Sequence, residues 1–288
     1  MSGDERKILD TSGDFQYVVR DGDPVEDPQW RSCRFIVTNK RLVLAMGGNK
    51  QPIPHSNISL PDDPESIVPD ELPPGATALS VGDNLLVVDA QIDDFRFEYC
   101  RATLQGEVIL ARHPAVVGGV IQDDAQWSKA RFQLTDDDEV RLQFPGGDST
   151  LFDIDDVGTI ETDRGTVLGE QRAIVEVEHT DEEDRSVETH FSGMAHHTDA
   201  LTTLFTTVVE GREDDYELSE MESQVLMALY SGVSPFEMAD FVGTTPDDVE
   251  EIYQKLLEVG AVDKVRTRTE VSLNAQGRNM ASEAMSGE

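Results

Sequence analysis

At 288 residues the chain is long enough for two or three domains with real cores, and a formal net charge of −35 excludes general attraction to nucleic acid or to an anionic membrane. The two cysteines, Cys33 and Cys100, are embedded in apolar patterns, which reads as two buried reduced thiols and not as a disulfide or a metal pair. No apolar run reaches membrane-spanning length and the first residues are polar, so a cytoplasmic location is expected.

In chain order, residues 1–29 are polar apart from one strand-like piece, Phe15 to Val19. From Arg34 the period is two, with Phe35 and Val37 on one face; Asn39-Lys40 turns the chain, and Arg41 to Met46 returns as a second strand. Gly47-Gly48 breaks it, and Pro52 to Ile58 approaches a third strand. Pro61 to Gly75 is rich in Pro, Asp and Glu and reads as a surface loop. Thr77 to Val81 and Asn84 to Ala90 form a hairpin around Gly82-Asp83. Phe95, Phe97 and Tyr99 alternate as in a strand, yet Asp94 can cap a helix carrying Phe95, Tyr99 and Ala102.

An internal repeat decides that ambiguity. Trp30-x-x-x-Arg34-Phe35-x-Val37-Thr38 returns as Trp127-x-x-x-Arg131-Phe132-x-Leu134-Thr135, and after a slip of three residues Arg41-Leu42 is answered by Arg141-Leu142. Both tryptophans are therefore expected to anchor a core. The second copy closes with a helical stripe, Ala200, Leu201, Leu204, Phe205, Val208 and Val209, which argues for a helix in the first copy too. Its strands are expected around Phe132, Leu142 and Phe152, at Ala173 to Glu178 and at Ser186 to Phe191. Val108 to Val120 is read as a linker between the copies.

From Leu218 the period changes to 3.6. Ser219 caps a helix with a stripe of Met221, Val225, Leu226, Leu229 and Tyr230; a shorter helix runs to Phe241; Thr245-Pro246 opens a third carrying Val249, Ile252 and Leu256. A two-stranded wing, Val262 to Leu273, completes the order of a winged helix-turn-helix. The fold class expected is α+β: two tandem pleckstrin-homology/GRAM-like β modules, each closed by a helix, then the winged helix, with boundaries at 1–106, 107–212 and 213–288.

Chemistry does not accumulate along this chain. His196-His197 read as a pair near a helix cap, His113 and His179 stand alone, and Gly118-Gly119 and Gly146-Gly147 are turn glycines without the helix and lysine of a phosphate loop. No catalytic, cofactor or metal residues are assigned. Carboxylates are spread through patterned segments, which reads as adaptation to a salt-rich cytoplasm where screening is short-ranged. The third helix of the winged domain carries Asp247, Asp248, Glu250 and Glu251 where a DNA reader needs donors, so groove reading is disfavoured. Candidate partner-binding residues are the wing cations Lys264, Arg266 and Arg268, the basic hairpin tip Lys40 and Arg41, and the helix acids Asp247, Asp248 and Glu251.

The Arg34 to Leu44 strand-turn-strand, the His113-Pro-Ala-Val…Gly-Gly stretch, the second copy from Trp127 and the acidic winged helix together resemble the archaeal taxis protein CheF family over essentially the whole chain. The resemblance implies a non-enzymatic adaptor linking the response regulator CheY, and CheC and CheD, to accessory proteins of the archaellum switch. The competing reading is a transcriptional regulator whose β modules sense a ligand or protein; a lipid-binding module is disfavoured by charge.

Overall fold

The repeat seen at Trp30 and Trp127 runs through the whole of the first structural unit. The computed structural model describes residues 5–61, 75–181, 183, 185–215, 218–258 and 261–262. The chain divides into two units, Met1–Asp214 and Asp215–Glu288. The fold is α+β, with two antiparallel sheets and a few helices.

The first sheet contains β1 (Lys7–Arg20), β2 (Asp23–Pro24), β3 (Arg31–Thr38), β4 (Arg41–Met46), β5 (Asn49–Pro54), β6 (Ile58–Ser59), β7 (Thr77–Val81) and β8 (Asn84–Ala90), followed by helix α1 (Phe95–Leu104). The second contains β9 (Val108–Val117), β10 (Val120–Ile121), β11 (Ser128–Leu134), β12 (Glu139–Gln143), β13 (Ser149–Asp153), β14 (Val157–Val167), β15 (Glu170–Thr180) and β16 (Ser186–Ser192), followed by α2 (Ala195–Asp215). Strand order is β5-β4-β3-β1-β8-β7-β6 in one and β13-β12-β11-β9-β16-β15-β14 in the other, so the two sheets correspond strand for strand.

This correspondence corrects three readings. Val108 to Val120 is no linker: it forms β9 and β10, and β9 is the middle strand of the second sheet, with a cis peptide at His113–Pro114. Trp30 is no core anchor, being 41% exposed, whereas Trp127 packs on Leu110, Val167 and Ile174. The slip of three is also wrong. Phe35 faces Leu44 and Phe132 faces Leu142, so Leu44 corresponds to Leu142, and Arg41 corresponds to Glu139. The second hairpin is thus one residue longer. In each copy the first-strand threonine holds the turn: Thr38 Oγ1 accepts from the Arg41 amide at 3.1 Å, and Thr135 Oγ1 from the Glu139 amide at 3.2 Å.

Asp94 caps α1, its side chain accepting from the Phe97 amide at 2.8 Å, and Phe95, Tyr99, Cys100 and Leu104 are buried beneath it. Cys33 and Cys100 are free and buried. The α2 stripe of Ala200, Leu201, Leu204 and Phe205 fills the second module, with Phe205 stacked near Phe152 and Phe191 at centroid separations of 6.4 and 5.9 Å. One apolar cluster runs through both modules without a break. Arg34 and Arg131, equivalent in the repeat, take different partners. Arg34 grips Asp10 at 2.6 and 2.8 Å, and Arg131 donates to the Gly106 carbonyl at 2.6 Å.

His113 and His179 do not stand alone. Their rings stack 6.0 Å apart and both meet the buried Thr189 hydroxyl. The acceptor-only Thr180 carbonyl, 3.1 Å from His179 Nδ1, fixes the proton order: Nδ1–H donates there and Nε2 accepts from Thr189 at 2.8 Å. Thr189 therefore accepts from His113 Nδ1–H at 2.7 Å, and His113 Nε2 accepts from Thr150 at 3.0 Å. Every ring nitrogen of the pair is thus partnered in the neutral form. Burial holds the His113 imidazole down to about 4, and burial with the neighbouring histidines His196 and His55 holds His197 down to about 4.

These depressed values give stability a pH dependence of defined sign. The unfolded chain takes these protons from about 6.5 downward while the folded chain resists until about 4, so stability is complete above 6.5 and is lost as pH falls between the two. Glu5 and Asp10, held at about 2 by Arg41 and Arg34, act only at more acid pH. The melting temperature is therefore expected to drop between pH 6.5 and 4 in the unmutated chain and to drop less in His113→Gln, as followed by circular dichroism.

Candidate protein-docking surface

The second unit is built from α3 (Glu220–Tyr230), α4 (Met238–Val242) and α5 (Pro246–Glu258). Ser219 and Glu222 form a reciprocal cap on α3: the Glu222 amide donates to Ser219 Oγ at 3.3 Å, and the Ser219 amide to the Glu222 carboxylate at 2.7 Å. Gly243 ends α4 at φ 74°, a conformation that costs glycine nothing. The core between the helices is Val225, Ala228, Met238, Val249, Ile252 and Leu256.

The expected α3 stripe divides in two. Val225 faces the core while Tyr230 is 96% exposed, and Met227, which lies outside that stripe, is 63% exposed. Phe236 and Phe241 are 79% and 63% exposed. Gln224, Met227, Ala228, Ser231, Phe241 and Val242 line a shallow groove between α3 and α4. Glu220, Glu237 and Asp240 of this unit are exposed, and among its described residues the basic side chain is Lys255. Met227 and Phe241 thus border one groove, on a unit that also exposes Tyr230, Phe236 and these carboxylates.

Large apolar side chains left in water cost about 1.5–3 kcal/mol each relative to burial. Exposed aromatic and methionine side chains beside a groove mark protein contact surfaces. Periodicity could not reveal this face, because a helical stripe shows which residues align and not which of them a neighbour covers. The missed signal was excess: Met221, Met227, Tyr230, Phe236 and Phe241 exceed what three short helices can bury.

The sequence-derived candidates fare differently. Arg41 Nε donates to Glu5 Oε1 at 2.6 Å, a second guanidinium nitrogen bonds the other oxygen, and the Glu5 carboxyl is held at about 2, so Arg41 is engaged within its own module. Lys40 lies at the adjacent exposed turn. Asp248 caps α5, accepting from the Thr245 hydroxyl at 2.6 Å and the Thr244 hydroxyl at 2.8 Å, and these bonds lower its carboxyl. Asp247 and Glu251 are exposed on the first two turns of α5, outside the groove lining. Lys264, Arg266 and Arg268, with the wing they were assigned to, lie outside the described residues.

Residues 7–211 match the model of the archaeal chemotaxis signal transduction system protein F. The chain belongs to the archaeal CheF family. Residues 217–286 match a separate domain family of unknown function, DUF8579, so the CheF model falls on the paired sheets and the second match on the helical unit. Over their full lengths this CheF chain is 36% identical to taxis protein CheF1 of Halobacterium salinarum. A role in taxis follows from the family. No described helix is long and apolar enough to cross a membrane.

If the aromatic face is a surface and not a core, Tyr230→Ser and Phe241→Ser change unfolding free energy by no more than about 0.5 kcal/mol. Leu256→Ala, in the core below, costs about 2–5 kcal/mol. Urea unfolding of the three variants measures the contrast.

Proposed function

We propose that this CheF protein is a non-enzymatic cytoplasmic adaptor of a salt-adapted archaeon, carrying the signal of phosphorylated CheY, with CheC and CheD, to accessory proteins of the archaellum switch. The observation that carries the reading is the exposure of Met227, Tyr230, Phe236 and Phe241 on one small unit, with Met227 and Phe241 bordering a groove. In a chain of net charge −35, whose other surfaces repel most macromolecules, this is where burial on binding gains most.

The paired sheets act in this reading as pleckstrin-homology/GRAM-like modules, and the second unit as a winged helix converted from nucleic-acid to protein recognition. Asp247, Asp248, Glu250 and Glu251 at the start of α5 support the conversion, since four carboxylates there would meet phosphates. Lys264, Arg266 and Arg268 offer a basic contact for an acidic partner, with Lys40 as a second and weaker one.

Capture of CheY by the immobilised full chain tests the reading. Capture is expected to be stronger with the phosphorylated form, and to weaken at least tenfold in Tyr230→Ser/Phe241→Ser and measurably in the triple reversal of Lys264, Arg266 and Arg268 to Glu. Equal recovery of both CheY forms, or of neither, would remove the signalling mechanism. Sequence-specific DNA binding in molar salt would favour a transcriptional regulator instead.

A further inference from the structure

The duplicated fold allows each outer-face position of the second sheet to be compared with its counterpart in the first. Ala78 faces Val87 across β7 and β8, and Ser80 faces Leu85; the matching pairs across β15 and β16 are Glu176 with His190, and Glu178 with Glu188. In the first module Ala78, Leu85 and Val87 are buried in a small apolar cluster with Val18. In the second, the same three positions are Glu176, His190 and Glu188, all half-buried. An apolar patch has been exchanged for three converging donor side chains.

The geometry points to a binding site for a divalent transition ion, Zn²⁺ or Mn²⁺ by donor type, at Glu176, Glu188 and His190. One donor atom from each residue lies within 4.8 Å of the other two. His190 Nε2 is 3.1 Å from Glu188 Oε2, and its Nδ1 is 3.7 Å from Glu176 Oε1. Ion-to-donor bonds of about 2.0–2.2 Å require the three donors to draw together by about 1 Å, within reach of glutamate side-chain rotation. The imidazole would then exchange its hydrogen bond with Glu188 for a bond to the ion.

Three further observations favour an ion over ordinary surface acidity. A salt-adapted composition accounts for carboxylates anywhere but not for the histidine, one of six in the chain. Among the described residues no lysine or arginine pairs with Glu176 or Glu188. Arg112, beside His190 in the register, turns its guanidinium instead to the Ala125 and Gln122 carbonyls at 3.1 and 2.8 Å. The strands also fix the spacing: Glu176 is directly opposite His190, and Glu188 is two residues along the same strand. Imidazole with two carboxylates and open positions suits borderline first-row ions better than Mg²⁺ or Ca²⁺.

The test uses the full chain stripped with EDTA and titrated calorimetrically with Zn²⁺ and with Mn²⁺ in 2 M KCl, where screening removes diffuse attraction to acidic surface but not inner-sphere coordination. One saturable site per chain is expected. His190→Gln and Glu176→Gln/Glu188→Gln should each weaken it at least tenfold, while Asp163→Asn, a nearby exposed carboxylate, leaves it unchanged. In the unmutated chain, substoichiometric Mn²⁺ should broaden the His190 ring-proton resonance ahead of the other five histidines. No saturable binding, equal weakening by Asp163→Asn, or uniform broadening of all histidines would overturn the site. The outcome is independent of whether the helical unit docks CheY.

Discussion

The two sheets become one body at a short crossover between α1 and β9. The Gly106 amide donates to the Phe132 carbonyl at 2.8 Å and the Phe132 amide returns to Glu107 at 3.0 Å, so the residues that leave the first module pair with the second before β9 begins. Leu134 adds its amide to the Gln105 side chain at 2.9 Å. Gly106 sits at φ +79°, and a Cβ there would lie 2.4 Å from the Arg6 guanidinium, which itself donates to the Gln105 carbonyl at 2.7 Å. A residue with a side chain would be strained in its backbone and would press on that contact. Because this crossover is fixed, α1 packs on both its own sheet and β11, and the apolar core passes from one module into the other.

Duplication on this frame keeps the interior and frees the exterior. Phe35 and Phe132 are both fully buried at the same place, as are Leu44 and Leu142. Outward positions have diverged in chemistry: Arg41 against Glu139 at the hairpin, Val87 against His190 on the outer face. A sheet tolerates this because alternate residues point to opposite sides, and the inner set alone specifies register. The helical unit follows the same logic, with a small fixed core beneath a surface that leaves Met227, Tyr230, Phe236 and Phe241 largely exposed.

Much of this was legible in the residues. Alternation at Phe35 and Val37, the Asp94 cap and the Ser219 cap each express a local rule that the tertiary structure obeys. The repeat correctly chose helix over strand at Phe95, because a helix was unambiguous at Leu201 and Phe205. Other features needed the third dimension. Val108 to Val117 does not alternate cleanly, since Ile109, Leu110 and Ala111 are buried in succession, and Pro114 brings no amide donor to the ladder. Trp30 matched Trp127 in spacing, and each lies one residue before its strand, β3 or β11, yet only Trp127 meets an apolar cluster, Leu110, Val167 and Ile174. Tyr230 shared a helical stripe with buried residues, yet only the placement of α4 and α5 determines which residues of that stripe are covered. The His113–Thr189–His179 chain joins β9 to the distant β15–β16 hairpin, and no spacing in the sequence signals it.

The exposed aromatic side chains of α3 and α4 are proposed as the place where this taxis protein meets its partner. Amide hydrogen exchange on the full chain, with and without a saturating excess of phosphorylated CheY, tests it most directly. The account predicts new protection concentrated in residues 220–242, with the strands of both sheets unchanged. Protection confined to the sheets, with α3 and α4 exchanging as in the free chain, would contradict it.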